Sequence, residues 1–233
     1  MQIVEGSEWA LRTARLSLRN PHSDIRLTLF PMVHVGEPDF FQAVYADAFA
    51  HDVVLVEGVK SPIVRRVTRS YRWIEGSKAM NLVIQPSCPA QAGCQARIVH
   101  ADLSAEEFTK VWLDIPLWSR ASVYVFSAAV GAWLRWFGSR AMLAPKLSLD
   151  DLLNREEILN FSPETVALNQ AILHARDVRL VERLGEQLDD PDPAVGRIAI
   201  VYGASHMRAV LRELTGRRGY RVERGDWLTV FRV

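Results

Sequence analysis

Four apolar runs in this chain each stop at a residue able to move a proton or hold a cation. IRLTLFPMVH, over residues 25–34, closes on His34. Val53-Val54-Leu55-Val56 leads into Glu57-Gly58, and Ala96 to His100 leads into Ala101-Asp102. Arg197 to Tyr202 opens into Gly203-Ala204-Ser205-His206. In open parallel sheets ligands gather beyond the carboxyl ends of the strands, so groups at like-facing strand ends share one rim. Imidazole and carboxylate there suit a divalent ion (Mn²⁺, Co²⁺ or Zn²⁺), which acidifies a bound water. The expectation is that His34, Glu57 and His206 hold the ion or the attacking water, with Glu57 as general base where it is not a ligand. A carboxylate placed directly after Val-Leu-Val needs a partner wherever it is buried. Asp102 reads more simply as a turn residue ahead of a cap at Ser104, and His100 as part of its strand's packing.

A second anomaly lies on the helix expected over 163–188. Leu173, Asp177, Val181, Leu184 and Leu188 share one stripe, so Asp177 interrupts an apolar face. Arg176 points about 100° away, and the two residues need not pair with each other. Asp177 is either a structural tie to another helix or an acid at the site. A serine-hydrolase elbow at Gly203-Ala204-Ser205 is disfavoured, because Met207 stands where that turn needs glycine.

The elements that must carry these residues alternate. Residues 11–19 and 25–34 read as strands joined by Asn20-Pro21-His22-Ser23-Asp24. Pro31 weakens the last rungs of the second, because proline donates nothing to a ladder. Pro38 opens a helix with Phe41, Val44, Tyr45, Ala48 and Phe49 at helical spacing, and the buried strand 53–56 follows. A basic, Trp-bearing helix is predicted over 62–80. Ser104 with Glu107 forms a capping box, and long helices cover 119–137 and 163–188, the second capped by Ser162. Residues 219–223 and 227–232 read as a hairpin across Arg224-Gly225-Asp226, a turn rather than an adhesion motif. The sum is one α/β domain over residues 1–233. Its central sheet is largely parallel and flanked by helices, with antiparallel strands at the N- and C-termini.

Composition narrows the partners. The 28 basic and 27 acidic side chains nearly cancel, so the net charge offers no attraction for a polyanion and nucleic acid is not an expected partner. The uncharged stretch from Ala121 to Leu134 is shorter than the roughly 20 residues a membrane span requires, so a buried core helix is expected there, with an interfacial anchor as the alternative. Glu5 and Glu8 interrupt the place of a signal peptide, and Cys88 and Cys94 read as two thiols of a reducing compartment, so a cytoplasmic location is expected. Trp112, Trp118, Trp133 and Trp136 read as core and flank packing, with a homo-oligomer through these helices as the other use.

The pieces VHVGEPDFF, VVLVEGV, ARDVRLVERL and VYGASHMRAVLRELTGRRGYRV, in that order over roughly residues 25–223, resemble the TraB/PrgY/GumN/Tiki family, which sits with erythromycin-esterase-like and ChaN-like proteins. The resemblance implies an α/β fold with its site at strand ends and a metal-dependent, peptidase-like activity on a peptide or small amide or ester. It carries two Gly-x-x-His motifs and a glutamate onto His34, His206 and Glu57, and an Arg-Asp pair onto Arg176 and Asp177, which implies that Arg176 stabilises oxyanion charge and Asp177 orients its neighbours, both catalytic candidates beside Glu57. The first motif departs from the pattern, reading Pro31-Met32-Val33-His34. That departure favours the alternative, a protein of the same fold that sequesters a peptide or small molecule without turnover.

Overall fold

The computed structural model describes residues 2–75, 77, 80–88, 95–149 and 163–233. Its main sheet is built from the apolar runs. Strands β1 (Val4–Gly6), β2 (Ala10–Arg19) and β3 (Arg26–Met32) pair antiparallel in sequence. Helix α1 (Pro38–Ala48) crosses to β5 (Val53–Val56), after the two-residue strand β4 (Val35–Gly36). Strands β7 (Arg97–His100) and β8 (Arg197–Gly203) complete a parallel array in the order β3-β8-β5-β7. A short strand β6 (Val83–Ile84) pairs β4 apart from this sheet. The expected fold class is therefore present, parallel at its centre and antiparallel at its terminal strands.

Alternation along the parallel strands sends side chains to two buried faces. Val54, Val56, Ala199 and Val201 meet Phe40, Phe41, Val44 and Tyr45 of α1 on one face. Val53, Leu55, Ile198, Ile200 and Tyr202 meet the other layer. That layer contains the long helix α7 (Pro163–Asp189) and the short helix α8 (Met207–Arg212). On α7 the fully buried residues are Leu180 and Leu184 rather than Val181, and Arg176 follows at the same four-residue spacing. One stripe of the helix thus packs under the sheet and then runs out past the strand ends.

Three expectations are corrected. The terminal hairpin is a single strand, β9 (Arg221–Arg232), paired along the whole of β2 from Ala10↔Arg232 to Arg19↔Arg221. Two register shifts absorb its irregularities, and Asp226 is held in line by Arg15 at 2.7 Å. The turn glycine is Gly219, with φ 71°, not Gly225. The helix expected over 62–80 is broken into α2 (Pro62–Val67), a 3₁₀ turn (Thr68–Ser70) and α3 (Tyr71–Glu75). There the Thr68 hydroxyl donates back to the Val64 carbonyl at 2.8 Å, a bond that bends helices. Strand 25–34 stops at Met32, so His34 lies beyond it rather than at its last rung.

Pro31 is accommodated because pairing with β2 ends at Leu29 while pairing with β8 runs on to Met32. Proline thus sits where one side of the strand has no ladder to feed. The capping box at Ser104 opens α4 (Ala105–Leu113) with both of its hydrogen bonds formed. Helices α5 (Leu117–Phe137) and α6 (Arg140–Leu149) follow. Cys88 is half-buried, whereas Cys94 and the cap expected at Ser162 lie outside the described residues.

Because α7 is anchored by Leu180 and Leu184, Leu184→Ala is expected to cost about 2–5 kcal/mol. Urea unfolding followed by circular dichroism checks this.

Candidate active site

The carboxyl ends of β3, β8, β5 and β7 lie side by side, and the chain leaves each of them with a polar group. Glu57 follows β5 immediately. Its Oε2 accepts from the Gly203 amide at 2.7 Å, and its Oε1 accepts from Arg176 Nη2 at 2.5 Å. Gly58 turns the chain with φ 152°, a region that favours glycine, and its amide donates to Asp102 Oδ2 at 3.0 Å. Asp102 takes the rest of the Arg176 fork, with Nη2 at 2.7 Å and Nε at 3.0 Å, and also accepts from the Leu103 amide. One guanidinium therefore bridges two buried carboxylates, the geometry in which arginine's planar fork is strongest. The same guanidinium lies over the Tyr202 ring, 5.6 Å from its centre.

A second pair stands beside this one. His206 lies in a 3₁₀ turn (Ala204–His206) ahead of α8, edge-on to Tyr202, and its Nδ1 meets Asp177 Oδ1 at 2.6 Å. A carboxylate partner places the imidazole proton on Nδ1 and leaves the Nε2 lone pair available. Nε2 makes no hydrogen bond among the described residues. The two pairs meet at Gly203, where an added Cβ would stand 3.2 Å from Glu57 Oε2 and 3.4 Å from His206 Cδ2. Any larger residue there would push the carboxylate and the imidazole apart.

The charges are set by these contacts. Burial opposes ionisation of Glu57, yet Arg176, and beyond it His34 and His206, hold its carboxyl at about 2. Burial also acts against the Arg176 cation, and Glu57 and Asp102 outweigh it, so its pKa is raised. Burial pushes the Tyr202 phenol well above its ordinary value, against Arg176 and together with Asp102 and Glu57. The Tyr202 hydroxyl is buried and makes no hydrogen bond of good geometry among the described residues, with Asp102 as the side chain that acts on it.

Arg176, Glu57 and His34 line a cavity of about 380 Å³ with Tyr45, Val64, Thr68, Gln85, Cys88 and Phe108. Arg176 has spent Nε and Nη2 on the carboxylates, and its Nη1 makes no hydrogen bond among the described residues. His34 is exposed, and its Nδ1 lies 3.3 Å from Gln85 Oε1. The cavity shares Tyr45, Ile84, Gln85 and Pro86 with a neighbouring hollow of about 650 Å³.

The structure thus brings Glu57 and Arg176 into direct contact, sets His206 and Asp177 against them, and puts His34 in the same cavity as Glu57. His206 stands behind Gly203, outside that cavity's lining. Among the described residues no three His, Cys, Asp or Glu groups close to metal-ligating spacing. Asp102, read from sequence as a turn residue, is an integral member of the cluster. The available signal was its position at the fourth like-facing strand end. His100 is exposed and does not pack as expected. Tyr202 was not foreseen, since a tyrosine in a buried strand reads as core.

Fold and site together define an α/β protein with a buried carboxylate–guanidinium–carboxylate bridge and an acid-backed imidazole at its strand ends. In comparisons with family models, curated proteins and solved structures, the chain matches none.

Two outcomes follow. The folded-state value of Glu57, about 2, lies below its unfolded 4.5, so its stabilisation is complete above about pH 5 and is lost as pH falls from there towards 2. Glu57→Gln should flatten that part of the acid-unfolding curve and cost about 3 kcal/mol at pH 7. Tyr202→Phe removes a desolvated hydroxyl that makes no hydrogen bond of good geometry among the described residues, so its melting temperature should equal or exceed the parent's.

Proposed function

We propose that the protein is a metal-dependent hydrolase that cleaves a peptide or another small amide or ester. The observation that carries this reading is the buried cluster at the strand ends. Glu57 and Asp102 share the single guanidinium of Arg176, His206 stands beside Glu57 across Gly203, and buried charges are paired or held by a cation. The donor chemistry fits such an ion. Glu57 is ionised, and His206 is backed by Asp177 as metal-binding histidines are backed by an acceptor. Glu57 and His206 are the pair that would hold it, and His34 would complete the set on leaving Gln85. A bound Mn²⁺, Co²⁺ or Zn²⁺ would supply an acidified water and a polarised carbonyl.

The chain's own residues supply the rest. Asp177 fixes the tautomer and the direction of His206. Arg176 presents Nη1 to the cavity, where its N–H groups can receive a substrate carbonyl oxygen and its developing charge. Glu57, where it is not a ligand, takes the proton from the attacking water. The second hollow, which shares Tyr45, Ile84, Gln85 and Pro86 with the first, offers room beside it for residues on one side of a scissile bond, which supports a peptide over a smaller substrate. The ordered motifs resembling the TraB/PrgY/GumN/Tiki family point the same way.

A non-catalytic, sequestering role is favoured by one observation, that Arg176 is already satisfied on two edges by carboxylates. Isothermal titration with Mn²⁺, Co²⁺ and Zn²⁺, followed by a fluorogenic peptide library, separates the two. Metal uptake with turnover is expected, and both should fall at least a hundredfold in His206→Ala while circular dichroism stays unchanged. Asp177→Asn should lower metal affinity about 10–100-fold. Peptide capture without metal uptake or turnover selects the sequestering role, and a His206→Ala protein that binds metal like the parent refutes the ligand assignment.

A further inference from the structure

Among the described residues, helix α5 packs chiefly through one side. Ser119, Gly131 and Leu134 are buried, Val123 and Tyr124 join the Phe108–Trp112 cluster, and the Ser127 hydroxyl donates to the Val67 carbonyl at 2.7 Å. These positions repeat at helical spacing and form the inner face, which lies against α2, the 3₁₀ turn and α3. The other face carries Leu117, Trp118, Val125, Trp133, Trp136 and Phe137, exposed by between 39% and 76%. Sequence reading placed the tryptophans in core and flank, and that holds for Trp112 but not for Trp118, Trp133 or Trp136. Over 21 residues this face is about 30 Å long, with Ser122 and Arg135 as its exposed polar groups. A contiguous apolar surface of that extent marks a contact with something else.

Charge indicates what the contact is. The whole chain carries a net charge of +1, yet residues 60–75 and 117–137, which pack on one another in this helical layer, hold seven Lys and Arg against a single acid, Glu75. From Ile115 to Leu149 there is no acidic residue at all. The remainder of the chain is correspondingly acidic, so the molecule is polarised across its fold. Aromatic side chains on one helix face within a cationic layer suit an interface that is apolar beneath and anionic above. No helix among the described residues is long and apolar enough to cross a membrane, so the contact lies along the surface.

We propose that the outer face of α5 docks in the plane of an anionic lipid bilayer, with Trp118, Trp133, Trp136 and Phe137 in the headgroup–acyl boundary and the surrounding arginines against the lipid phosphates. A second copy of the chain would meet this face with the same excess of positive charge, which opposes self-association there. Lys146 over the Trp133 ring, 5.0 Å from its centre, holds a further cation at the edge of the face. The docking helix adjoins the cavity through Val64 and Thr68 of the segments it packs on.

Flotation with unilamellar vesicles tests this. At 0.1 M salt the full chain should float with vesicles of equal phosphatidylglycerol and phosphatidylcholine, and at least tenfold less with phosphatidylcholine alone. The double variant Trp136→Glu, Phe137→Glu changes two side chains that are at least 70% exposed, so it should fold like the parent and lose at least tenfold in binding. Arg65→Gln with Arg66→Gln should weaken binding about tenfold or more. The proposal is overturned if the parent stays with the buffer fraction, if it binds both vesicle types equally, or if the Trp136/Phe137 variant floats like the parent. It is equally overturned if light scattering finds a dimer that this variant dissolves while neither protein floats, since a second copy then owns the face.

Discussion

The site rests on a single guanidinium held between two carboxylates that arrive from different strands. Glu57 and Asp102 would repel one another in a buried setting, and neither strand end can retreat, because Val56 and His100 are locked in register. Arg176 resolves this with three donor contacts, and in doing so ties helix α7 to the sheet at the point where its apolar stripe ends. The arrangement runs in both directions. Leu180 and Leu184 place the arginine, and the arginine fixes how the strand ends and their backbone amides are presented.

The bridge also decides what the neighbouring residues can do. Glu57 stays a carboxylate although burial alone would protonate it. Asp177, left free by the 100° offset from Arg176, turns to His206 and fixes its ring. Gly203 is the joint between the two pairs, supplying an amide to Glu57 and, by lacking a side chain, the space in which the carboxylate and imidazole approach. Across the cavity the wall comes from a different layer, the bent α2–α3 segment supported by α5. The polar cluster is thus held by the sheet and α7, while the surface facing it belongs to the cationic helical layer.

Much of this was legible in the residues. VVLV and RIAIVY could only be buried strands, and the polar residue after each had to lie at a common rim. Asp177 was visible because an acid broke an apolar stripe, whereas Arg176 was pointed to only by the family resemblance. What stayed hidden depended on long-range pairing. Asp102 before a capping serine is indistinguishable in sequence from an ordinary turn residue until Arg176 arrives from 74 positions away. Arg224-Gly225-Asp226 carries every local sign of a turn, yet the long free edge of β2 and the Arg15–Asp226 bond keep it extended. The bend at Thr68 came from a side-chain bond that helical periodicity does not register. The exposure of three tryptophans on α5 was equally unreadable, because an apolar periodic face looks the same whether it meets a core or an outside surface.

The central claim is that Glu57 and His206 are two donors of one cation site. Anomalous diffraction from crystals soaked in Mn²⁺ or Zn²⁺ tests it most directly. A peak bonded to both Glu57 and His206 Nε2, with His34 turned from Gln85 towards it, is the expected result. A density map in which the soaked ion occupies other surface positions while Glu57 and His206 remain bare would contradict it.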